Sequence, residues 1–589
     1  MTFINLLIIY SVILLTTTTL RKSLTYKGIK LILLLNNFMV LTYCSFFWSN
    51  YVLNSTVELL SLKLNPNTWT GVIYELAFKV NSLSFFFIFL VVVIGSATNV
   101  YILNYFKYEE REEEFILLIN WFILSMIILV CGNNFFTLIL GWELIGLTSF
   151  LLINFWKFKA ITLGCSFKAF SFNKFSDLLL MISFCSIWNL FQTNNIDTVM
   201  VLISYNLNFT NNALLFSAIT LLVCSSVKSA QIIGHLWLPD SMEAPVPASS
   251  LIHSATLVSA GIFLILKLQI IFIVTNTLFI LFVLGGITAC YGGIIAASQS
   301  DVKRLLAYST ISHCGFIIAS ISFNNLIVTV VYLYLHGLYK AVTFFCVGSL
   351  IKYNNTQDTR MMGALKTQIV NMVTLLFVSA NLGGLPFMFG YLYKQVFISS
   401  LVTLNFNTIG YGLCVIGMLT SPIYVFKLNY YSSFDFRKGY IQTVFLKLQN
   451  YKVNFKSIYV NFTYTKIFAY SLIYLYALVI FIVLKYFILI NFIITNNTPY
   501  SNVNYLPLLE TNILLKSTMI KVYYSLFVCV ILILLLNKNR ANYFYIQQFR
   551  LISYLISFIL TLNIIFFLTK YLILILNYDK LSLYIINII

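Results

Sequence analysis

The chain has 589 residues, 60% of them hydrophobic and only 9% charged, with a formal net charge of +19. So little charge cannot cover the surface of a water-soluble domain, and the positive balance is strung along connecting segments without a folded basic domain; a soluble enzyme and a nucleic-acid-binding protein are both excluded. A spanning helix needs about 20 apolar residues, and marking the apolar runs predicts an all-α, polytopic transmembrane helix bundle of about 14–17 spans.

Residues 1–110 hold the first spans. The first apolar run begins almost at Met1, and Arg21, Lys22, Lys27 and Lys30 follow it, so it reads as a retained span with no presequence before it. A polar interlude follows near residues 50–81, and the cluster EEREEE (Glu109–Glu114) reads as a solvated loop closing this part. Heavy use of Phe, Tyr, Ile, Asn and Lys is what AT-rich codons encode, and it fits a chain made inside an AT-rich organelle.

Residues 111–430 form a dense run of spans that contains every histidine of the chain: His235, His253, His313 and His336. Glu143, in GWELIGLTSFLLINFW, is the only charged residue between Glu114 and Lys157. Burial favours the protonated form of such a carboxyl, and a nearby cation restores the ionised form. Asp177 follows Lys174 closely in SFNKFSDLLLMISF and reads as a helix end near water, where a surface pair contributes little.

Lys228 lies inside the apolar run Leu214–Gly234, which breaks into HLWLPDSMEAPVPASSLIHSATLVSAGIF with Pro239, Pro245 and Pro247. A charge at mid-bilayer depth costs roughly 2.5–3.5 kcal/mol on insertion scales. A proline-broken span also frees backbone groups that lipid cannot satisfy. Both costs at one place point to a buried polar site. Glu143 and Lys228 are natural candidates for a switchable charge pair; a static ion pair that sets helix register is the alternative. His253 belongs to the same broken segment.

The GGITACYGGII segment around Gly285–Gly293 has no strand before it, so a dinucleotide reading is poor. Asp301, Lys303 and Arg304 read as interfacial anchors, or as the mouth of a half-channel, and His313 further along the same helix has no assigned role. His336 and Lys340 are four residues apart and share a helix face, as two stations of a hydrogen-bonded proton path would. Lys394 follows a second broken segment, NLGGLPFMFGYLYKQ, around Pro386. Paired interrupted spans in two halves point to an inverted-repeat transporter with its ion site at the breaks.

Between Lys427 and Lys466 the only acid is Asp435. This is a loop held on the cation-retaining side, or a contact with an anionic lipid such as cardiolipin or with a partner subunit. Residues 431–589 read as scaffolding spans. The ten cysteines are scattered singly with no C-x-x-C pair, which argues against an iron–sulfur cluster, a zinc site or a disulfide framework.

Several of these segments together resemble the chain 5 subunits of NADH–ubiquinone oxidoreductase, respiratory complex I. The likeness rests on NSLSFFFIFLVVVIGSATNVYILNYF, GNNFFTLILGWELIGLTSFLLINFW, KSAQIIGHLWLPDSMEAPVPASSLIHSATLVSAGIFLI, SQSDVKRLLAYSTISHCGF, HGLYKAVTFFCVGSLI, QDTRMMGALK and GGLPFMFGYLYKQ, in that order. It implies an antiporter-like core in residues 111–430 with two inverted five-helix repeats and broken helices, and C-terminal spans with a lateral helix in residues 431–589. It implies proton-path residues Glu143, Asp177, Lys228, His253, His336, Lys340 and Lys394. NADH, FMN, iron–sulfur clusters and ubiquinone would belong to other subunits, and no cofactor to this chain. Partners would be the other membrane-arm subunits, including a neighbouring antiporter-like one, in the mitochondrial inner membrane.

Some positions depart from the family pattern. GWEGVG is GWELIG here, the acid before SLS is Asn81, the acid after Lys394 is Gln395, and the first histidine of a two-histidine motif is Tyr332. Gln395 cannot ionise, so the proton at Lys394 is expected to travel through waters and hydroxyls such as Tyr391 or Tyr393. Subunits of standalone cation/proton antiporters share the core motifs, and a non-conducting structural subunit is a further alternative.

Overall fold

The computed structural model describes residues 3–434, apart from short stretches (48–56, 65–73, 107–110, 206–211, 363–368, 398–407) and isolated positions that include 386 and 395. Pro386, Gln395, most of the basic segment 427–466 and the expected C-terminal spans and lateral helix lie outside the described residues. Within them the chain is a bundle of apolar helices, ten of which are long and apolar enough to cross a membrane. The exception to the all-helical pattern is a hairpin in the polar interlude. Strands β1 (Glu58–Leu64) and β2 (Tyr74–Val80) pair antiparallel, with Glu58 opposite Val80.

The hairpin ties down helix ends. The Glu58 carboxylate accepts from the first-turn N–H groups of Phe3 and Ile4, each at 3.1 Å, at the start of α1 (Phe3–Thr19). Asn81, just past β2, caps α3 (Ser82–Tyr105) through the Ser84 N–H at 2.9 Å in a capping box. The acidic cluster is more than a solvated loop. Glu112–Glu114 form the first turn of α4 (Glu112–Cys131), where carboxylates suit the positive end of the helix dipole. Glu112 is 1% exposed and meets Lys30 of α2 (Tyr26–Phe46) at 2.6 Å, and Arg21 reaches Glu113 and Glu114.

The core follows as α5 (Phe135–Ile153), α6 (Ala160–Phe191), α7 (Ile196–Tyr205) and α8 (Asn212–Lys228). The proline-rich segment folds as short helices, α9 (Trp237–Asp240), a 3₁₀ turn, then α10 (Val246–Ser254) and α11 (Leu257–Lys267), and these are buried within the bundle. After the short α12 (Gln269–Val274) come α13 (Leu278–Ser298), α14 (Val302–Ile321), α15 (Leu326–Asn354), α16 (Ile369–Gly383) and α17 (Thr408–Asn429).

The paired glycines of GGITACYGGII are packing positions. A Cβ at Gly285 would lie 2.6 Å from the Gly315 carbonyl oxygen of α14, and one at Gly292 would lie 2.7 Å from the Ser312 nitrogen. Their neighbours Gly286 and Gly293 face α17 instead, against Gly410, Cys414 and Thr420. Two seams, each of two glycines seven residues apart, thus let α13 approach both neighbours closely, the small-residue packing that membrane helices use where no hydrophobic force drives association. Gly315→Leu should force α13 and α14 apart and destabilise the bundle by about 1–3 kcal/mol. Gly412→Leu, where a Cβ meets nothing within 4 Å, should not. Thermal unfolding in mild detergent checks both.

Candidate functional site

The site begins at GWELIG on α5. Gly141 lets α5 lie against α4, since a Cβ there would be 2.5 Å from the Leu129 Cα. Trp142 is fully buried; its carbonyl accepts from the Lys228 Nζ at 3.1 Å, and its ring lies 4.8 Å from the same nitrogen. Gly146 borders the same amine: a Cβ there would lie 3.7 Å from that nitrogen, at ordinary contact distance. Lys228 closes α8, where a cation faces the negative end of the helix dipole, and Ala230 at φ 53° turns the chain into the broken segment.

The expected direct pair of Glu143 with Lys228 is corrected by the geometry. Glu143 pairs with Lys174 of α6, which also lies 3.4 Å from Asp177, and Asp177 in turn lies 3.9 Å from Lys228. Four charges of alternating sign therefore connect a partly exposed carboxylate to a fully buried amine. Asp177 does not sit at a helix end near water. It is buried halfway along α6, because the 32-residue helix continues through the polar SFNKFSD stretch. Lys174, absent from the expected set, is the link; its spacing of three residues from Asp177 was the available signal.

Inward from Lys228 no further carboxylate joins the row among the described groups; imidazoles and hydroxyls follow. The His253 Nε2 meets the Ser241 hydroxyl at 3.1 Å, and its ring stacks on Phe344. A cavity lined by His253, Ser254, Ser259, Cys314, Leu333 and His336 separates the two histidines, with about 10 Å³ of room for a water's centre. The His253 Nδ1, Ser254 Oγ and His336 Nε2 are buried without a protein hydrogen bond. The rest of the lining is apolar (Val258, Ile262, Ile317), and the space is just large enough for a single water to bridge those polar atoms. Lys340, on the same α15 face as His336, donates to the Ser309 hydroxyl and to the Leu306 carbonyl of α14.

Farther along, His313 bridges two hydroxyls. Its Nδ1 meets the Tyr332 hydroxyl at 2.6 Å and its Nε2 the Tyr424 hydroxyl at 3.0 Å, while its ring centroid lies 5.3 Å from that of His336. The Tyr332 ring stacks on Tyr393 at 3.8 Å. The neighbouring Lys394 donates to the Leu382 and Gly383 carbonyls, each at 3.1 Å, and to the Ser421 hydroxyl at 2.6 Å. Those carbonyls are free because α16 ends there. Gly384 turns the chain at φ +72°, and a Cβ on it would strike the Lys394 Cδ at 2.6 Å.

Lys303 is also more than an interfacial anchor. It is buried and donates to the Met242 and Ala244 carbonyls at 3.2 Å, stapling the broken segment, whereas Arg304 and Asp301 form the half-exposed pair. Among the described residues no group of histidines, cysteines and carboxylates could hold a metal ion.

Residues 132–421 match the model of the NADH:quinone oxidoreductase/Mrp antiporter transmembrane family. The NADH-ubiquinone oxidoreductase chain 5 of Paramecium tetraurelia is 42% identical over 63% of this chain and 66% of that one. That of Wickerhamomyces canadensis is 33% identical over 69% of this chain and 63% of its own length. The chain is similar to this antiporter family over residues 132–421, about half of its length. It matches less than two thirds of the length of either relative. The fold is similar to a chain in the structure of the Mrp complex from Dietzia sp. DQ12-45-1b, with a TM-score of 0.64 at 19% identity, covering 88% of this chain and 60% of that one.

All seven candidate residues fall within the segment that the family model matches. It is a multi-pass membrane protein whose buried amines sit at breaks or close crossings of helices. Gly384→Ala should cost about 1–2 kcal/mol through its left-handed backbone and should also displace the Lys394 side chain. A lower unfolding midpoint, with Lys394 becoming reactive to an amine-modifying reagent in detergent, is the expected outcome.

Proposed function

We propose that this chain is the proton-translocating, antiporter-like subunit of an NADH:ubiquinone oxidoreductase, with Glu143, Asp177, Lys228, His253, His336, Lys340 and Lys394 carrying the path and Lys174 coupling the first two. The observation that carries the reading is the row of buried groups itself. Lys228 and Lys340 are 0% exposed and Lys394 is 8% exposed, and histidines and hydroxyls lie between them. A membrane protein accepts that cost where charge must move.

The mechanism is an electrostatic hand-over. A signal that draws Lys174 away from Glu143 and onto Asp177 takes up the counter-charge of Lys228, which then releases its proton inward towards His253 and His336. Moving a charge through 100 mV costs about 2.3 kcal/mol, and a change of one pKa unit corresponds to about 1.36 kcal/mol. A modest change at one amine is therefore enough to drive the step. The chain itself would hold no flavin, iron–sulfur cluster or quinone. Electron transfer would take place in other subunits; this chain's partners would be membrane-arm subunits, a neighbouring antiporter-like one among them, in the mitochondrial inner membrane of the cell whose organelle encodes it. The basic segment beyond Lys427 would face anionic lipid such as cardiolipin.

The likeness to the Mrp complex favours one rival, a subunit of a standalone cation/proton antiporter. What co-purifies in mild detergent separates the two: an assembly that oxidises NADH supports the first reading, and sodium–proton exchange without one supports the second. In sealed vesicles Lys228→Ala should lower the protons moved per electron severalfold with NADH oxidation retained. An unchanged ratio removes Lys228 from the path.

A further inference from the structure

We propose that His313 is a proton-relay residue, passing protons between the His336–Lys340 station on α15 and Lys394 through the hydroxyls of Tyr332 and Tyr424. The inference rests on the proton-path reading above. None of the seven candidate residues occupies the stretch between Lys340 and Lys394, and His313 fills it from a third helix, α14.

Both ring nitrogens are engaged, one by a hydroxyl from α15 and one by a hydroxyl from α17. A neutral imidazole carries one N–H and one lone pair, so one tyrosine must donate to the ring while the other accepts from it. The bridge therefore has a direction. In a passage, the Tyr332 O–H proton moves to Nδ1 as the Nε2 hydrogen moves to the Tyr424 oxygen. Tyr332 takes a replacement proton from the His336 side, and Tyr424 gives up its own original proton. One proton enters, one leaves, and only O–H and N–H bonds are exchanged; before the next passage the ring regains its first tautomer.

Both ends of the bridge are placed for this. The His336 ring centroid lies 5.3 Å from that of His313, and the His336 Nε2 has no protein hydrogen bond. At the other end, Tyr424 follows Ser421 by three residues on α17, hence on the same helix face, and the Ser421 hydroxyl holds the Lys394 amine at 2.6 Å. Tyr332 therefore does not interrupt the path; it is the hydroxyl that brings an imidazole from α14 into line.

The test is proton movement per electron in vesicles holding the assembled oxidoreductase. His313→Gln keeps a donor and an acceptor for the two hydroxyls but has no ring through which a proton can pass. A severalfold loss is expected, matching that of Lys394→Met, with assembly and NADH oxidation retained. Adding Tyr332→His to His313→Gln should restore most of the loss by returning an imidazole to the bridge. Tyr424→Phe should share the loss, and it carries the test should His313→Gln fail to assemble. A His313→Gln loss that Tyr424→Phe does not share and Tyr332→His does not rescue marks a structural role and overturns the relay. Normal pumping by His313→Gln beside poor pumping by Lys394→Met also overturns it but leaves the rest of the path standing. Normal pumping by both overturns the path itself.

Discussion

An ammonium group at bilayer depth must be solvated by the protein, and the architecture follows from how this chain does so. Lys228 is served by the Trp142 carbonyl and the Trp142 ring at the end of α8. Lys394 is served by the carbonyls that α16 leaves unpaired at Gly383 and Leu382. Lys340 sits in an unbroken helix and borrows the Ser309 hydroxyl and Leu306 carbonyl from α14. Around Lys340 and Lys394, neutral oxygens hold an ammonium less firmly than a carboxylate would, and they leave no buried negative charge behind when the proton departs; Lys228 has the buried Asp177 at 3.9 Å as well. Helix breaks, glycines and hydroxyls are therefore parts of one solution.

The two ends of the path differ in kind. At the Glu143 end the charges are formal and alternate in sign, and Glu143 and Lys174 are 34% and 44% exposed at the side chain, within reach of a signal from outside the chain. Beyond Lys228 the groups are imidazoles, hydroxyls and amines. An electrostatic change at the first end thus acts on a low-dielectric row in which a small shift in field redistributes a proton. The glycine seams of α13 and the Lys303 staple hold that row in place.

The apolar spans and the broken segment after Lys228 are legible because a charge or a proline in an apolar run is itself the signal. Pairing was less so. The period of a helix places residues on a face, but it does not say which other helix that face meets, so Glu143 was matched to Lys228 instead of Lys174. The polar SFNKFSD stretch looked like an end because short-range polarity imitates a boundary; burial against α8 overrides it. His313 could not be assigned from sequence, since its partners Tyr332 and Tyr424 lie 19 and 111 residues away. The β-hairpin was hidden in a segment whose two strands gain meaning only through the helices they tie down, Glu58 at the start of α1 and Asn81 at the start of α3.

The central claim is that buried lysines work by losing a proton and not merely by carrying charge. Lys340→Arg distinguishes the two, because arginine keeps the charge and donor groups but does not deprotonate in proteins. In sealed vesicles with the oxidoreductase assembled and oxidising NADH, the account predicts that this variant moves far fewer protons per electron than the native protein. Native proton stoichiometry in Lys340→Arg would contradict it.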